Sequence, residues 1–401
     1  MVVRTTGRAE TFPQKAEKFD TIAHEEQNAI VNVLRSIHPL SGYLGGIDQG
    51  GPFVENLEEE WTRRYRVKWA TAVNSATSGL LAASAAIGMK QGDEFIVSPY
   101  TMSATAAAPM FLGGTPVFAD IESTTFCLDP LEVAKKITKA TKAVFVTNLF
   151  GHPGNLADLR KLCNEHDIFL IEDAAQSPFA VENNKLAGTW GHIGVFSFNV
   201  HKHLQCGEGG ICITENAILD QRMRDFRNHG ELFEGGSIGL NLRMTEINAA
   251  IATEQLKKAE DIITGRIEQA KTLSFSFTEM DGLDGVILPV TKAGCAHVFY
   301  AWAAKLDYKS LGITNHQFME EARREFIVQP PVISAGYVQP LYRLKAFRKY
   351  ASPCPVAEEM HDKALIVFEN CAYTLKTVQH NHLARVFEKV LSKRRQMDVP
   401  A

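Results

Sequence analysis

Long apolar runs are absent from this 401-residue sequence. No segment approaches the roughly 20 consecutive apolar residues that a membrane helix requires. The opening residues, MVVRTTGRAETFPQKAEKFD, contain no apolar stretch typical of a secretory signal. The seven cysteines include no C-x-x-C pair, and their scatter is typical of reduced thiols. We therefore expect a soluble cytoplasmic protein without a membrane partner.

An excess of charge of one sign is also lacking. The chain has 42 lysine and arginine residues against 46 aspartate and glutamate residues, which gives a net charge of −4. This balance creates no strong field that would attract nucleic acid or anionic lipid. Nucleic acid is therefore not expected as a partner.

Several familiar catalytic motifs are missing as well. The sequence has no Walker A loop, no G-x-S-x-G, no H-E-x-x-H and no G-x-G-x-x-G after a strand. His201 and His203 could bind a metal ion, but no third ligand is evident near them. We therefore expect no metal, and we favour structural or substrate-contacting roles for these histidines.

The sequence does contain seven short apolar runs rich in Val, Ile and Phe, and helix-length segments separate the early ones. The runs cover residues 69–74, 94–99, 115–121, 143–150, 168–175, 195–199 and 210–214. Alternation of this kind predicts an α/β domain with a mostly parallel sheet that is buried on both faces. The later runs follow each other closely, so we expect a mixed seven-stranded sheet.

The length of the chain exceeds that of a usual single core, so more than one domain is expected. We predict an N-terminal arm and helix, a large domain and a small C-terminal α+β domain, over residues 1–52, 53–255 and 256–401. A helix is predicted from His24 to Ile37. A longer helix is predicted from Glu246 to about Phe277, with Gly265 as its weak point.

Polar residues follow two of the predicted strands, where open α/β sheets bind ligands. The turn 74–79 (NSATSG) begins an Ala-rich helix whose free amides suit an anion, although an ordinary helix cap is the alternative. Glu172 and Asp173 end another strand. A carboxylate buried there needs a partner, which a protonated ring nitrogen, a helix terminus or a metal ion would provide.

Lys202 lies between a predicted strand and the turn GEGG. A lone lysine is usually a surface charge, but apolar and glycine neighbours favour a semi-buried amine of lowered pKa, which suits Schiff-base chemistry. Asn241 and Arg243 precede a predicted helix, and by themselves they indicate no more than a cap and a surface charge.

The ordered set NSATSGL, EDAAQS, SFNVHK, GEGG and GLNLR is far more specific than any single motif. With the connecting segments GDEFIVSPYTMSATAAAPMFLGGTPVFADIE and TKAVFVTNLFGHPGNL, it resembles the DegT/DnrJ/StrS sugar aminotransferases over nearly the whole chain. These are fold-type I enzymes of pyridoxal 5'-phosphate (PLP). The resemblance therefore implies that fold for the large domain and PLP as the cofactor.

The resemblance also implies roles at the reacting end of the cofactor. Lys202 would form the Schiff base and move a proton between the substrate carbon and the cofactor. Asp173 would pair with the pyridine nitrogen, and Gln176 would lie beside the ring near its hydroxyl. His201 and Arg243 are candidates for substrate contacts.

Further implied roles concern the phosphate of the cofactor. Ser197 and the amides of Ala76 and Thr77 would hold it. Asn241 would reach the phosphate of the neighbouring subunit's cofactor, which implies a homodimer with shared active sites.

The sequence departs from the family pattern at two positions. Met102 follows Thr101 where the family usually has an aromatic residue stacked on the PLP ring; a thioether can pack there, and Tyr100 is a second candidate. His201 precedes Lys202, and some relatives that have histidine in place of the lysine are sugar dehydratases. Because Lys202 itself is retained, transamination is the favoured interpretation.

We therefore expect an enzyme that transfers an amino group from glutamate or glutamine to a keto sugar or keto cyclitol. The setting would be amino-sugar biosynthesis for a surface polysaccharide or a secondary metabolite. The alternative is a sugar dehydratase or deoxygenase that depends on PLP or on its amine form, pyridoxamine 5'-phosphate (PMP). A non-catalytic regulatory protein on the same fold is a third, against which Lys202, Asp173 and Ser197 argue.

Overall fold

The structure is a computed structural model that describes residues 16–36, 40–43, 50–231, 238–325 and 332–397. Most of the N-terminal arm, the predicted helix end at Ile37 and residues 44–49 lie outside these ranges. The strands are β1 (Glu17–Lys18), β2 (Trp69–Val73), β3 (Glu94–Val97), β4 (Thr115–Phe118), β5 (Thr141–Thr147), β6 (Phe169–Asp173), β7 (Val181–Glu182), β8 (Lys185–Leu186), β9 (Ile193–Ser197), β10 (Gly210–Thr214), β11 (Val286–Ile287), β12 (Cys295–Ala296), β13 (Trp302–Leu306), β14 (Ile333–Ala335), β15 (Leu365–Phe368) and β16 (Tyr373–Thr374).

The α-helices vary from four to 21 residues. They are α1 (His24–Leu34), α2 (Pro52–Tyr65), α3 (Ala76–Ala86), α4 (Ser103–Phe111), α5 (Pro130–Ala134), α6 (Leu156–Glu165), α7 (Ala217–Arg227), α8 (Glu246–Lys257), α9 (Ala259–Thr278), α10 (Tyr308–Leu311), α11 (Asn315–Glu325), α12 (Pro355–Glu359) and α13 (Thr377–Met397). None of the helices in the described ranges is both long enough and apolar enough to span a membrane.

The central sheet contains seven strands in the order β2-β10-β9-β6-β5-β3-β4. These are the seven predicted strands, and the prediction of a mixed, mostly parallel sheet is confirmed. Strand β10 is antiparallel to both of its neighbours, whereas the pairs from β9 to β4 are parallel. Strands β9 and β10 follow each other without an intervening helix, whereas a parallel pair needs a crossover connection, usually a helix.

Both faces of the sheet are covered, as the apolar runs predict. Along β5, Ala143 and Phe145 belong to one apolar cluster while Val144 and Val146 belong to another, and all four are fully buried. Successive strand side chains point to opposite faces, so each face has its own core. This burial leaves only the strand ends for polar chemistry.

The predicted continuous helix from Glu246 to Phe277 is wrong in one respect. It breaks at Lys258, between α8 and α9, and Gly265 lies inside α9. Helix α8 packs against α1 and α2, whereas α9 packs against α13, so the chain must change direction between the two. The Lys258 ammonium stabilises the break by donating to Thr21 O and by pairing with the buried Glu26.

The C-terminal part contains a four-stranded antiparallel sheet in the order β11-β13-β15-β14. Helices α9, α11 and α13 pack against it around a second apolar core. This arrangement agrees with the predicted α+β character. The division of the chain at residues 52 and 255 stays a prediction.

Candidate active site

A cavity of about 190 Å³ opens at the carboxyl edge of the central sheet. Eight of the ten predicted site residues line it: Ala76, Thr77, Met102, Asp173, Gln176, Ser197, His201 and Lys202. They come from five separate segments, which the strand order brings to one edge. Asn241 and Arg243 do not line it.

Asp173 is the last residue of β6, and it is 5% exposed. Its Oδ2 accepts a hydrogen bond from Thr105 Oγ1 (2.6 Å), and its Oδ1 accepts one from Ala175 N (3.2 Å). Burial raises the pKa of Asp173, while the hydrogen bonds and the charge of Lys202 oppose that rise. The carboxylate has no directly bonded cation among the described residues, so it is suited to a cationic N–H group of a ligand.

Glu172 faces the other side of the sheet. Its Oε2 accepts from Gly188 N and its Oε1 from Gly191 N, both at 2.6 Å. Glu172 thus anchors a turn behind the sheet. The alternation of strand side chains decides which of the two adjacent carboxylates enters the cavity.

Lys202 lies in the loop between β9 and β10. Hydrogen bonds from Phe198 N to Gly209 O (2.9 Å) and from Val200 N to Gly207 O (3.0 Å) hold the two arms of that loop together. The lysine is 8% exposed, and its Nζ lies 4.5 Å from the ring centroid of Tyr300. Burial lowers the pKa of Lys202 to about 8, although the charge of Asp173 opposes this. A larger fraction of the amine is therefore neutral near physiological pH than for an exposed lysine, as nucleophilic attack requires.

The start of helix α3 faces the same cavity. Ser75 caps the helix, since its Oγ accepts from Ser78 N (3.1 Å), and the first intrahelical bond runs from Gly79 N to Ser75 O. The amides of Ala76 and Thr77 come before that bond, at the positive end of the helix dipole. Ser197, at the end of β9, also lines the cavity.

Two glycines allow this helix end to lie against the sheet. A Cβ at Gly79 would meet Val195 Cγ1 at 2.7 Å, and a Cβ at Gly210 would meet Ala76 N at 2.7 Å. Both distances are shorter than side chains tolerate, so glycine is required for this close approach.

Gln176 connects the sheet to the C-terminal part of the chain. Its Oε1 accepts from Phe150 N (2.7 Å), and its Nε2 donates to the hydroxyl of Tyr337 (3.1 Å). Tyr337 and Tyr300 complete the cavity wall. Sequence reasoning missed both tyrosines, because no local motif marks them and they reach the cavity only through tertiary packing.

Sequence reasoning also missed Thr105. Its hydroxyl joins a buried row in which Thr101 Oγ1 lies 3.2 Å from Thr105 Oγ1 and 2.9 Å from Thr147 Oγ1. Two threonines four residues apart, in a segment of small and apolar residues, were the available signal. The row orients the hydroxyl that donates to Asp173.

At position 102 this chain has a methionine, where the family usually has an aromatic residue. Met102 precedes α4, is 48% exposed and lines the cavity. Tyr100 is fully buried and does not line it; the Tyr100 hydroxyl instead accepts from Tyr337 N (2.8 Å). The suggestion that Tyr100 contributes a cavity surface is therefore not supported. A packing role for Met102 against the ring stays a prediction.

The two histidines beside Lys202 differ in their surroundings. His201 is exposed and lines the cavity. His203 is fully buried, its Nε2 donates to Val298 O (2.8 Å), and burial lowers its pKa to about 4. No cluster of His, Cys, Asp and Glu suited to a metal ion occurs within the described ranges. His203 therefore supports the loop, while His201 faces the ligand space.

Asn241 and Arg243 lie on a segment beside the start of α3. Asn74 N donates to Leu242 O (2.8 Å), which holds the segment there. Asn241 is exposed, and Arg243 Nη1 donates to Asn228 Oδ1 (2.7 Å). Both side chains therefore lie near the cavity of their own chain but do not line it.

The fold and the cavity together define a class. A mixed α/β sheet whose carboxyl edge carries a buried lysine, a buried carboxylate and the start of a helix has the groups that a PLP site uses. The comparisons with known proteins then specify the group. A family model described as the DegT/DnrJ/EryC1/StrS aminotransferase family matches residues 21–390.

Individual relatives agree with the family model. The L-glutamine:2-deoxy-scyllo-inosose aminotransferase of Streptomyces kanamyceticus is 31% identical, and the match covers 86% of this chain and 88% of that protein. The UDP-N-acetyl-3-dehydro-alpha-D-glucosamine 3-aminotransferase of Acidithiobacillus ferrooxidans is 31% identical over 77% and 81% of the two chains. The structure of S. venezuelae DesV, in complex with a ketimine intermediate, aligns with a TM-score of 0.78 at 27% identity, over 92% and 94%.

The chain belongs to the DegT/DnrJ/EryC1/StrS aminotransferase family, and it is a PLP-dependent aminotransferase. Its cavity fits the cofactor. Asp173 offers a buried carboxylate for the ring nitrogen, the α3 amides offer a phosphate site, and Lys202 offers an amine of lowered pKa. When bound, PLP supplies an electron sink that stabilises negative charge on the substrate carbon.

Proposed function

We propose that the enzyme transfers an amino group from glutamate or glutamine to a keto sugar or keto cyclitol, in amino-sugar biosynthesis for a surface polysaccharide or a secondary metabolite. The observation that carries this proposal is the single cavity in which Lys202, Asp173 and the start of α3 meet. The printed names of the two relatives, a cyclitol aminotransferase and a UDP-sugar aminotransferase, support this substrate class.

Each residue has a defined task in this proposal. Lys202 attaches the cofactor and moves a proton to and from the substrate carbon. Asp173 keeps the ring nitrogen protonated, and Gln176 lies beside the ring near its hydroxyl. Ser197 and the Ala76 and Thr77 amides hold the phosphate. Met102 packs against the ring, while His201 and Arg243 contact substrate.

The substrate class is tested by a screen of keto sugars and keto cyclitols against the enzyme converted to its PMP form. An acceptor restores the visible cofactor absorption, and amino transfer from nitrogen-labelled glutamate distinguishes transamination from dehydration. Borohydride reduction followed by peptide mapping tests the attachment. Label on a lysine other than Lys202, or no label transfer to any ring substrate, would contradict the proposal.

The proposal includes a homodimer in which Asn241 reaches the phosphate of the neighbouring subunit's cofactor. Asn241 is exposed and outside its own cavity, and the segment before it carries apolar side chains, with Ile238 91% and Leu240 46% exposed. Large exposed apolar residues next to a binding loop are typical of an interface. Two-fold symmetry would place both loops equivalently.

Complementation tests the shared site. Asn241→Ala removes a hydrogen bond to a charged group, worth about 1.5–3 kcal/mol, so it should weaken PLP binding without abolishing it. When Lys202→Ala and Asn241→Ala subunits are mixed, one site of each mixed dimer carries both defects and the other carries neither. Activity should therefore rise above that of either parent. No gain, although mixed dimers demonstrably form, would place the Asn241 contact within one subunit.

The cytoplasm is the proposed location. All seven cysteines are free thiols, and six of them are buried. Reduced thiols are typical of that compartment.

A further inference from the structure

A second cavity of about 300 Å³ adjoins the first. The two share His201, Tyr300 and Tyr337 as walls. The second is otherwise lined by Ala301, Val367, Glu369, Cys371 and Ala372. The shared wall includes Tyr300, whose ring centroid lies 4.5 Å from Lys202 Nζ, so this cavity borders the space around the reactive amine.

Glu369 is the one acidic side chain in this lining. It follows β15, and its backbone carbonyl accepts from Ala372 N (3.0 Å). The next residue, Asn370, is fully buried and donates to Arg266 O (2.9 Å) and Phe299 O (2.7 Å). These bonds anchor the turn, so the backbone that carries the carboxylate is held in place before a ligand binds.

The Glu369 carboxylate lacks a partner of its own. Across the described ranges it forms neither an ion pair nor a hydrogen bond through its side chain, although the cavity walls raise its pKa by partly removing it from water. Glu369 is exposed, as many unpaired glutamates are, but its side chain also lines the cavity that borders the reactive amine. A partner for it would come from the ligand.

Two tyrosines, Tyr300 and Tyr337, line the same cavity as the carboxylate. The charge of Glu369 contributes to the raised pKa of each of them. Faces of aromatic rings attract cations, more strongly when water is excluded. Tyr300 already shows this preference, since Lys202 Nζ lies over its ring. A carboxylate together with tyrosine rings forms a site for an organic cation.

The size and charge of the cavity argue against a nucleotide end. No lysine or arginine is present in its described lining, so a phosphate there would meet Glu369 without a compensating cation. Small-molecule sites usually measure about 300–1,000 Å³, so this volume suits a single ring.

We propose that this cavity binds an ammonium group on the substrate, so that the ring substrate is a sugar or cyclitol that already carries a second amino group. Glu369 accepts hydrogen bonds from that ammonium, and the tyrosines cover it. The inference rests on the proposed aminotransferase function and narrows its substrate class.

The first test uses the PLP holoenzyme and two ring polyols that differ in one group: a cyclohexane polyol with one amino group, and the same ring with amino groups at positions 1 and 3. The loss of visible cofactor absorption gives kcat/KM for each amine. The wild type should prefer the diamine by about tenfold or more, as expected for a hydrogen bond to a charged group. Glu369→Gln should remove most of that preference and leave the monoamine rate nearly unchanged.

Glu279→Gln is the matched control, because Glu279 is exposed at the end of α9 and lines neither cavity. It should behave as the wild type. The glutamate half-reaction of Glu369→Gln should not be slowed, which verifies that the variant is folded and loaded with cofactor. Equal rates for the two amines, or an equal loss of rate for both in Glu369→Gln, would overturn the inference. The carboxylate would then contact hydroxyl groups of the substrate or make no contact with it.

The second test does not depend on turnover. Calorimetric binding of the same two amines is measured on the holoenzyme after borohydride reduction, which fixes the cofactor on its lysine. Tighter binding of the diamine that Glu369→Gln removes supports the inference, and equal binding overturns it. If glutamate and glutamine both fail to convert the cofactor of the wild type, the proposed donor is wrong, yet this binding comparison still decides the role of Glu369.

Discussion

Replacement of Asp173 by asparagine separates the folding and the catalytic roles of a buried carboxylate. The introduced amide would keep the shape of the side chain and could still accept the hydrogen bond that Thr105 now donates at 2.6 Å. The variant would lose the charge that burial disfavours, as the raised pKa of Asp173 shows. The cofactor-free variant should therefore melt no lower than the wild type near neutral pH.

Turnover should fall steeply in the same variant. A neutral amide does not keep the ring nitrogen protonated, and a hydrogen bond between charged groups contributes about 3 kcal/mol. Because 1.36 kcal/mol corresponds to a factor of ten, the half-reaction with glutamate should slow by about 100-fold or more. The assay is the rate at which the visible cofactor band disappears after glutamate is added.

Asp158→Asn, an exposed substitution on α6, provides the control and should change neither quantity. An Asp173→Asn enzyme that retains PLP and reacts within about threefold of the wild-type rate would refute the reasoning, because the carboxylate would then have no electronic role. A large loss of melting temperature would show instead that Asp173 is needed for folding.

Three further substitutions test the described contacts. Thr105→Val removes the hydroxyl that donates to Asp173 at 2.6 Å and lowers the pKa of that carboxyl. The acid limb of the pH profile of kcat/KM should therefore move to higher pH, and activity should fall about tenfold. An unshifted profile would contradict this. Gly79→Ala places a Cβ 2.7 Å from Val195 Cγ1, so thermal or urea unfolding should show a loss of about 1–3 kcal/mol and weaker PLP retention; wild-type values for both would contradict it. His380 is 2% exposed, and burial lowers its pKa from an ordinary 6.5 to about 4. As the pH drops from about 6.5 towards 4, this histidine is protonated in the unfolded chain but not in the folded one, so the free energy of unfolding falls over that range. At pH 5 the loss from this residue is about 2 kcal/mol, and urea unfolding of His380→Leu should show a correspondingly flatter dependence on pH, whereas the exposed His166→Gln should retain the wild-type slope.

The sequence by itself determined the seven strands of the central sheet and the family of the enzyme. Apolar runs flanked by turns predict buried strands because a strand covered on both faces needs apolar side chains throughout. The ordered motifs around Asp173 and Lys202 predicted the cavity, because the carboxyl ends of parallel strands lie at the same edge of a sheet and bring the residues that follow them together. The catalytic and binding roles of the predicted residues stay predictions.

Only the tertiary structure decided which side chains share the ligand space. Tyr300, Tyr337 and Glu369 lie about 100 residues or more beyond Lys202 in the chain, and they reach its surroundings through the packing of the C-terminal sheet. The break at Lys258 likewise depends on the different helices that α8 and α9 contact. Local sequence patterns record backbone preference and burial, whereas contacts between distant segments depend on how the layers pack, which no short motif encodes.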